Sequence, residues 1–216
     1  DRYDVLLITD EVVTGFGRTG EWFAMDHYDI VPDIMTLAKG IASSYIPFGA
    51  VAVSAEINAP FESGETHFIH GFTNGGHPLG CAAGSELIDI IRDENLLENC
   101  RKQSEVLFSY REQLLAHPTV RDVRGWGLMM VLELIKDKES LDFFDSSLQA
   151  EKLYSAITLK HGLVMYGSLY GPRRQAAFKR GLPSWISPPL TISSEEMHDL
   201  VGRLDNALSE WESIVL

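Results

Sequence analysis

An aspartate closes the apolar run Leu6-Leu7-Ile8-Thr9-Asp10, and 29 residues later a lysine stands in Thr36-Leu37-Ala38-Lys39-Gly40. One carboxylate and one primary amine, each held at the end of a regular element, suit a pyridoxal phosphate ring. The acid keeps the ring nitrogen protonated so that the ring can accept electrons, and the amine forms the Schiff base. Neither residue says much alone, because a Lys-Gly pair most often ends a helix. Asp10-Glu11 also fits a Walker B strand, in which the Asp organises Mg²⁺ and the Glu activates water. The matching G-x-x-x-x-G-K-[ST] loop does not occur in the 216 residues.

Other motifs are weaker taken singly. Gly15-Phe16-Gly17-Arg18-Thr19-Gly20 matches G-x-G-x-x-G in letters. The dinucleotide fingerprint needs its first glycine tight against the strand and its third inside a helix. Here five residues intervene and no periodic helix follows, so the segment reads as a tight loop. Phe72-Thr73-Asn74-Gly75-Gly76-His77-Pro78 leads into a helix start, where backbone N–H groups and a hydroxyl can hold a phosphate. His67, His70 and His77 lack a carboxylate at metal-ligand spacing and read as loop or cap residues. Arg124-Gly125-Trp126-Gly127 reads as a turn. Arg173, Arg174 and Arg180 read either as solvated loop charges or as a clamp for a substrate carboxylate.

The elements that must position these residues alternate between strand and helix. Val5–Thr9 reads as a strand buried on both faces of a parallel sheet. Asp33–Ala38 is a short element stopped at Gly40, Ala50–Ser54 a strand, and Thr66–Pro78 a loop. A helix runs from Pro78 to about Asn95, with Leu79, Ala83, Leu87, Ile90 and Ile91 on one face. A second, with Val106, Leu107, Tyr110 and Leu114, ends near His117-Pro118. Then come a strand over Leu128–Leu134, a charged loop over Lys136–Ser147, a helix over Gln149–His161 closed by Gly162, a short strand over Leu163–Tyr166, and an irregular loop over Gly167–Pro189. The last helix opens with a capping box, Ser193 and Glu196, and carries Met197, Leu200, Val201, Leu204, Leu208 and Trp211 on one stripe. The pattern is α/β, with residues 1–118 in one domain and a smaller α+β domain over 119–216.

Composition narrows the function classes. The chain is 45% hydrophobic and 23% charged, ordinary for a globular protein with a core. Its net charge of −13 repels a nucleic-acid backbone. No apolar stretch approaches the ~20 residues of a membrane span. Two cysteines, Cys81 and Cys100, make no disulfide framework, and the cytoplasm is the expected setting. The start at Asp1, directly before a strand-like run, reads as a piece of a longer protein.

In order, the chain carries Asp10-Glu11-Val12-x-Thr14-Gly15-Phe16-Gly17-Arg18-Thr19-Gly20, Pro32-Asp33, Ala38-Lys39-Gly40, Pro47-x-Gly49-Ala50, Thr73-x-x-Gly76-His77-Pro78, Arg124-Gly125-x-Gly127 and Ser187-Pro188-Pro189-Leu190. This series resembles the class III (omega) aminotransferases, pyridoxal-phosphate enzymes of fold type I, from residue 1 to the last helix. The resemblance implies part of a large, mostly parallel-sheet domain followed by a C-terminal α+β domain. It implies that Asp10 pairs with the pyridine nitrogen and that Val12 packs on the ring face. Lys39 would be the covalent anchor and proton shuttle. Thr73 would contact the phosphate of the partner subunit's cofactor, which makes the protein a homodimer.

Two departures matter. Where ornithine-type members place an Arg before the Pro-Pro-Leu segment, this chain has Trp185, so the expected donor is an amine or omega-amino acid and the acceptor a 2-oxo acid. The family's upstream phosphate loop and stacking aromatic are not in this chain, so the isolated segment is expected to bind cofactor poorly. A decarboxylase, aminomutase or racemase of the same fold, a nucleotide hydrolase, and a non-catalytic dimerisation partner stay open as alternatives.

Overall fold

A computed structural model describes residues 2–144, 147–165 and 181–216. Contacts divide the chain into two compact units, Asp1–Cys100 and Arg101–Leu216.

The first unit holds a three-stranded sheet in the order β1 (Ile8–Asp10), β2 (Ile34–Leu37), β3 (Ala50–Val53). β1 and β2 are parallel, with Asp10 opposite Thr36, and β3 runs antiparallel to β2 with Leu37 opposite Ala50. The connections explain the directions. A parallel return needs a crossover of a dozen residues or more, and residues 11–33 supply it. The shorter link from Leu37 to Ala50 spends itself on turns and brings β3 back alongside. The first strand is shorter than Val5–Thr9 suggests, and Val5, Leu6 and Ile8 are 70%, 60% and 61% exposed. The sequence pattern predicts cover on both faces, but within Val5–Thr9 only Thr9 is buried.

Helix α1 (Ala55–Glu62) is capped by Ser54, whose side chain accepts from Ile57 N at 3.3 Å. α2 (Pro78–Asp93) starts with Pro78 in the first turn, where its missing N–H is harmless. Its buried positions are Gly80, Gly84 and Ile91, while Leu79 is 67% exposed. The contact face therefore joins Ile91 of the predicted stripe to two glycines, which a count of apolar residues does not register. α3 (Leu96–Ser109) and α4 (Arg111–Ala116) form two helices broken at Tyr110, where one was expected.

The second unit packs α4 on a sheet ordered β4 (Val120–Gly125), β5 (Met130–Leu134), β6 (Leu182–Ile186), all antiparallel. α5 (Ser147–Lys160) and α6 (Ser194–Val215) complete it. The division between units falls inside α3, ahead of Thr119, because the following residues bond to α6. Tyr110 Oη pairs with His198 Nδ1 at 2.6 Å and Gln113 Nε2 donates to Asp205 Oδ1 at 2.9 Å. β6 runs through a segment expected to be an irregular loop. Its burial alternates strictly, yet Pro183 interrupts the strand signal, and proline is tolerated here because β6 lies at the edge. The expected strand over Leu163–Tyr166 is absent over 163–165, and Tyr166 lies outside the described residues.

The capping box at α6 forms as the sequence predicts: Ser193 Oγ accepts from Glu196 N at 3.2 Å and Glu196 Oε2 accepts from Ser193 N at 2.8 Å. Met197, Val201, Leu204, Leu208 and Trp211 are fully buried. The Trp211 ring meets Phe144 and Tyr154 at centroid distances of 5.1 and 5.3 Å, and its Nε1 donates to Ala150 O at 3.1 Å. Trp211→Ala opens a large cavity and removes the bond to Ala150. We expect a loss of about 3–5 kcal/mol in urea unfolding; a loss below about 1 kcal/mol would contradict this packing.

A polar clamp ties α6 to the start of β4. His117 Nδ1 bonds Glu212 Oε2 at 2.8 Å, and His117 Nε2 bonds Asp205 Oδ1 at 3.1 Å. Glu212 Oε1 accepts from Thr119 N and Thr119 Oγ1, and Lys138 Nζ donates to His117 O at 2.9 Å. The bond to Glu212 raises the His117 pKa above its ordinary 6.5, against the opposing effect of burial. Burial pushes the Glu212 carboxyl upward, but the bonds from His117 and Thr119 outweigh it and leave the pKa below 4.5. A raised histidine stabilises below its unfolded pKa and loses this as pH rises through the folded one; a depressed carboxylate loses it as pH falls. Stability should therefore decline as pH climbs above about 6.5, and His117→Gln should flatten that limb in urea titrations repeated across pH.

Candidate active site

Asp10 sits at the C-terminal end of β1, and β2 beside it ends two residues before Lys39. In a parallel pair the two strand ends lie on one edge of the sheet, so the register brings this carboxylate and this amine to the same rim. Asp10 Oδ1 accepts from Val12 N at 3.0 Å and from Thr36 Oγ1 at 3.2 Å, one bond from its own turn and one from the neighbouring strand. Oδ2 accepts no hydrogen bond among the described residues. The carboxylate is exposed, fixed on one side and open on the other. Val12, half-buried, follows two residues on.

Glu11 points the other way and is 1% exposed. Its Oε2 accepts from Thr14 Oγ1 and its Oε1 from Met25 N, the latter at 3.1 Å. Its backbone N–H donates to Thr36 O at 3.0 Å, and its carbonyl accepts from Gly15 N at 3.0 Å. A glutamate with both oxygens engaged and no access to solvent is not placed to activate water, as the Walker B reading requires. No group of three His, Cys, Asp or Glu side chains among the described residues could hold a metal ion.

Ala38 is extended and Lys39 turns into the left-handed region at φ 41°, opening a 3-10 turn over Lys39–Ile41. A lysine in that conformation costs roughly 1 kcal/mol or more, and such strain persists only where the surroundings enforce it. They do so at Gly40. A Cβ there would stand 2.9 Å from Phe16 Cβ and 3.2 Å from Gly15 O, so the lysine's turn rests directly on the glycine loop after Asp10. Phe16 is itself buried against Phe23, ring edge to face at 5.7 Å. The G-x-G-x-x-G match is thus a buttress, as its poor context indicated.

On its other side the lysine's loop is bolted to α2. A Cβ on Gly80 would lie 2.6 Å from Phe48 Cδ2, and one on Gly84 3.3 Å from Ile41 O. Lys39, Ser44, Ile46, Pro47 and Phe48 line a hollow of about 290 Å³. The lysine side chain is exposed and makes no hydrogen bond or ion pair among the described residues.

Thr73 lies on an exposed turn closed by Gly75 N donating to Phe72 O at 3.0 Å, a few residues before α2. No hydrogen bond joins it to Asp10, Val12 or Lys39. Trp185 is half-buried on β6 of the second unit, opposite Val131. Arg173, Arg174 and Arg180 lie outside the described residues. Arg124 lies in β4, engaged by Asp122 at 2.7 Å and Glu133 at 3.3 Å, and the turn follows it, with Trp126 N donating to Met129 O at 2.9 Å. Thr36 and Thr14 carry no sequence signal of their own, and Glu11 carries only that of the Walker B reading.

The chain was compared with known families and structures. The aminotransferase class-III family matches residues 1–208. A putrescine–pyruvate aminotransferase of Pseudomonas aeruginosa is 37% identical over 216 residues, covering 100% of this chain and 44% of that protein. A diaminobutyrate–2-oxoglutarate transaminase of Halomonas elongata is 38% identical over 213 residues, 97% of this chain and 43% of that one. The crystal structure of an (S)-enantioselective omega-transaminase from Thermomicrobium roseum superimposes with a TM-score of 0.86 at 38% identity, over 97% of this chain and 44% of that one. The chain spans less than half the length of these relatives. No helix among the described residues is long and apolar enough to cross a membrane. With the fold type I scaffold and the motif series agreeing along nearly the whole sequence, the chain belongs to the class III aminotransferases.

Proposed function

We propose that the protein moves an amino group from an amine or omega-amino acid to a 2-oxo acid, with pyridoxal phosphate as cofactor, as a cytoplasmic homodimer. The observation that carries this reading is the shared strand-end rim of Asp10 and Lys39. The half-open carboxylate of Asp10 and the unengaged amine of Lys39 fit a ring that needs an anion at its nitrogen and an amine at its aldehyde carbon. Bound there, the cofactor would supply an electron sink for the charge that develops at the donor's Cα.

The chain's own residues do the rest. Asp10 Oδ2 would hold the proton on the ring nitrogen, and Val12 would press on the ring face. Lys39 Nζ would anchor the cofactor and, once released, take the proton from the donor carbon. Thr73, exposed on its own turn, would serve the phosphate bound to the partner subunit. Trp185 in place of an arginine favours donors without an α-carboxylate, and Arg173, Arg174 or Arg180 would meet the acceptor's carboxylate. The name of the first relative, a diamine donor with pyruvate, supports a donor of this kind, and both names support a 2-oxo acid acceptor; the second relative's donor, diaminobutyrate, carries an α-carboxylate.

The test is borohydride reduction of the full-length protein with pyridoxal phosphate, then peptide mapping, alongside an assay of putrescine with pyruvate. A label on Lys39 with alanine formed is expected. A labelled lysine elsewhere, or donor decarboxylation without alanine, would overturn the reading.

A further inference from the structure

Buried glutamates are rare unless their oxygens are occupied, and Glu11 stands directly beside the proposed cofactor acid. Four bonds run through this one residue. Its side chain takes Thr14 Oγ1 and Met25 N, its amide holds Thr36 O, and its carbonyl holds Gly15 N. Thr36 is the residue that fixes Asp10 Oδ1, and Gly15-Phe16 is the wall against which Gly40 sits. Gly15 itself has no room for a side chain, since a Cβ would stand 2.8 Å from Glu11 O.

We infer that Glu11 is a positioning residue, a buried strut that sets Asp10 on one side and the Lys39 turn on the other without touching the reacting atoms. The inference rests on the proposed function, because it needs those two groups to act on one ligand. Removing the carboxylate would leave the backbone bonds to Gly15 N and Thr36 O in place but release Thr14 Oγ1 and Met25 N, loosening the glycine loop that rests on them. The left-handed Lys39 would then lose the surface that enforces its conformation, while Asp10 would keep its bonds to Val12 and Thr36 but on a looser strand end. Glutamine preserves both roles, since its carbonyl accepts from Met25 N and its amide donates to Thr14 Oγ1.

The experiment uses the full-length protein loaded with pyridoxal phosphate, comparing Glu11→Ala, Glu11→Gln and Thr14→Val with the unsubstituted protein. Three readouts are taken: borohydride labelling of Lys39, the pH midpoint of the bound cofactor's visible absorbance, and kcat. For Glu11→Ala we expect kcat to fall roughly 10²-fold, as small misplacements of reacting groups do, and the absorbance midpoint to shift. Glu11→Gln should restore both to within about threefold, and Thr14→Val should fall between. A merely structural role would lower the unfolding temperature and leave midpoint and kcat in place, and that result overturns the inference. So does a glutamine variant as impaired as alanine. If alanine prevents folding, Thr14→Val decides alone, an unmoved midpoint being the negative. Failure to label Lys39 in the unsubstituted protein overturns the functional reading and this role with it; normal labelling with unmoved variants overturns the role only.

Discussion

Lys39→Arg should abolish amino transfer, with kcat reduced by about 10⁴-fold or more. Guanidinium stays protonated at any working pH, so it can neither attack a carbonyl nor take a proton from carbon. The fold should not notice. The Lys39 side chain is exposed and makes no bond among the described residues, and arginine meets the same backbone demand at φ 41°. The check is paired: donor turnover in the full-length protein, and the thermal midpoint followed by circular dichroism. Retained turnover above about a hundredth of the parent would remove Lys39 from the chemistry.

Asp10→Asn isolates charge from shape. Asparagine keeps an oxygen for Val12 N and Thr36 Oγ1, so both bonds that fix the side chain survive. What disappears is the negative charge on the open side. Loss of one preorganised electrostatic partner typically lowers a rate by about 10²–10³-fold, and that is the expected drop in the single-turnover rate with an amine donor. Borohydride labelling of Lys39 should persist, because anchoring depends on the amine. A rate within about threefold of the parent would mean the ring nitrogen is served by some other group.

Much of the site was legible because two local signals survive translation into three dimensions. An acid after an apolar run and a lysine before a glycine both mark element ends, and parallel pairing then put them on one edge. The supporting parts were not legible. Thr36 reaches Asp10 only through a register that joins residues 26 apart, and sequence patterns carry no register. The α2 contact face was legible only in part for a related reason: Ile91 is buried as the periodicity predicts, whereas Gly80 and Gly84 work by having no side chain and carry no apolar signal. Pro183 hid β6, since proline lowers strand expectation unless the edge position is known. The break at Tyr110 escaped because neither Gly nor Pro marks it. By contrast the capping box at Ser193 is wholly local, and it formed between the residues expected.

Phe48 has two allegiances. It lines the hollow that Lys39 shares, and its ring fills the notch where α2 carries glycines instead of side chains, Cδ2 against Gly80 and Cε1 against Gly84. Trimming it to widen the hollow would unseat the helix along with enlarging the space beside Lys39. Widening at Ser44 or Ile46, which line the same hollow, would leave that notch filled.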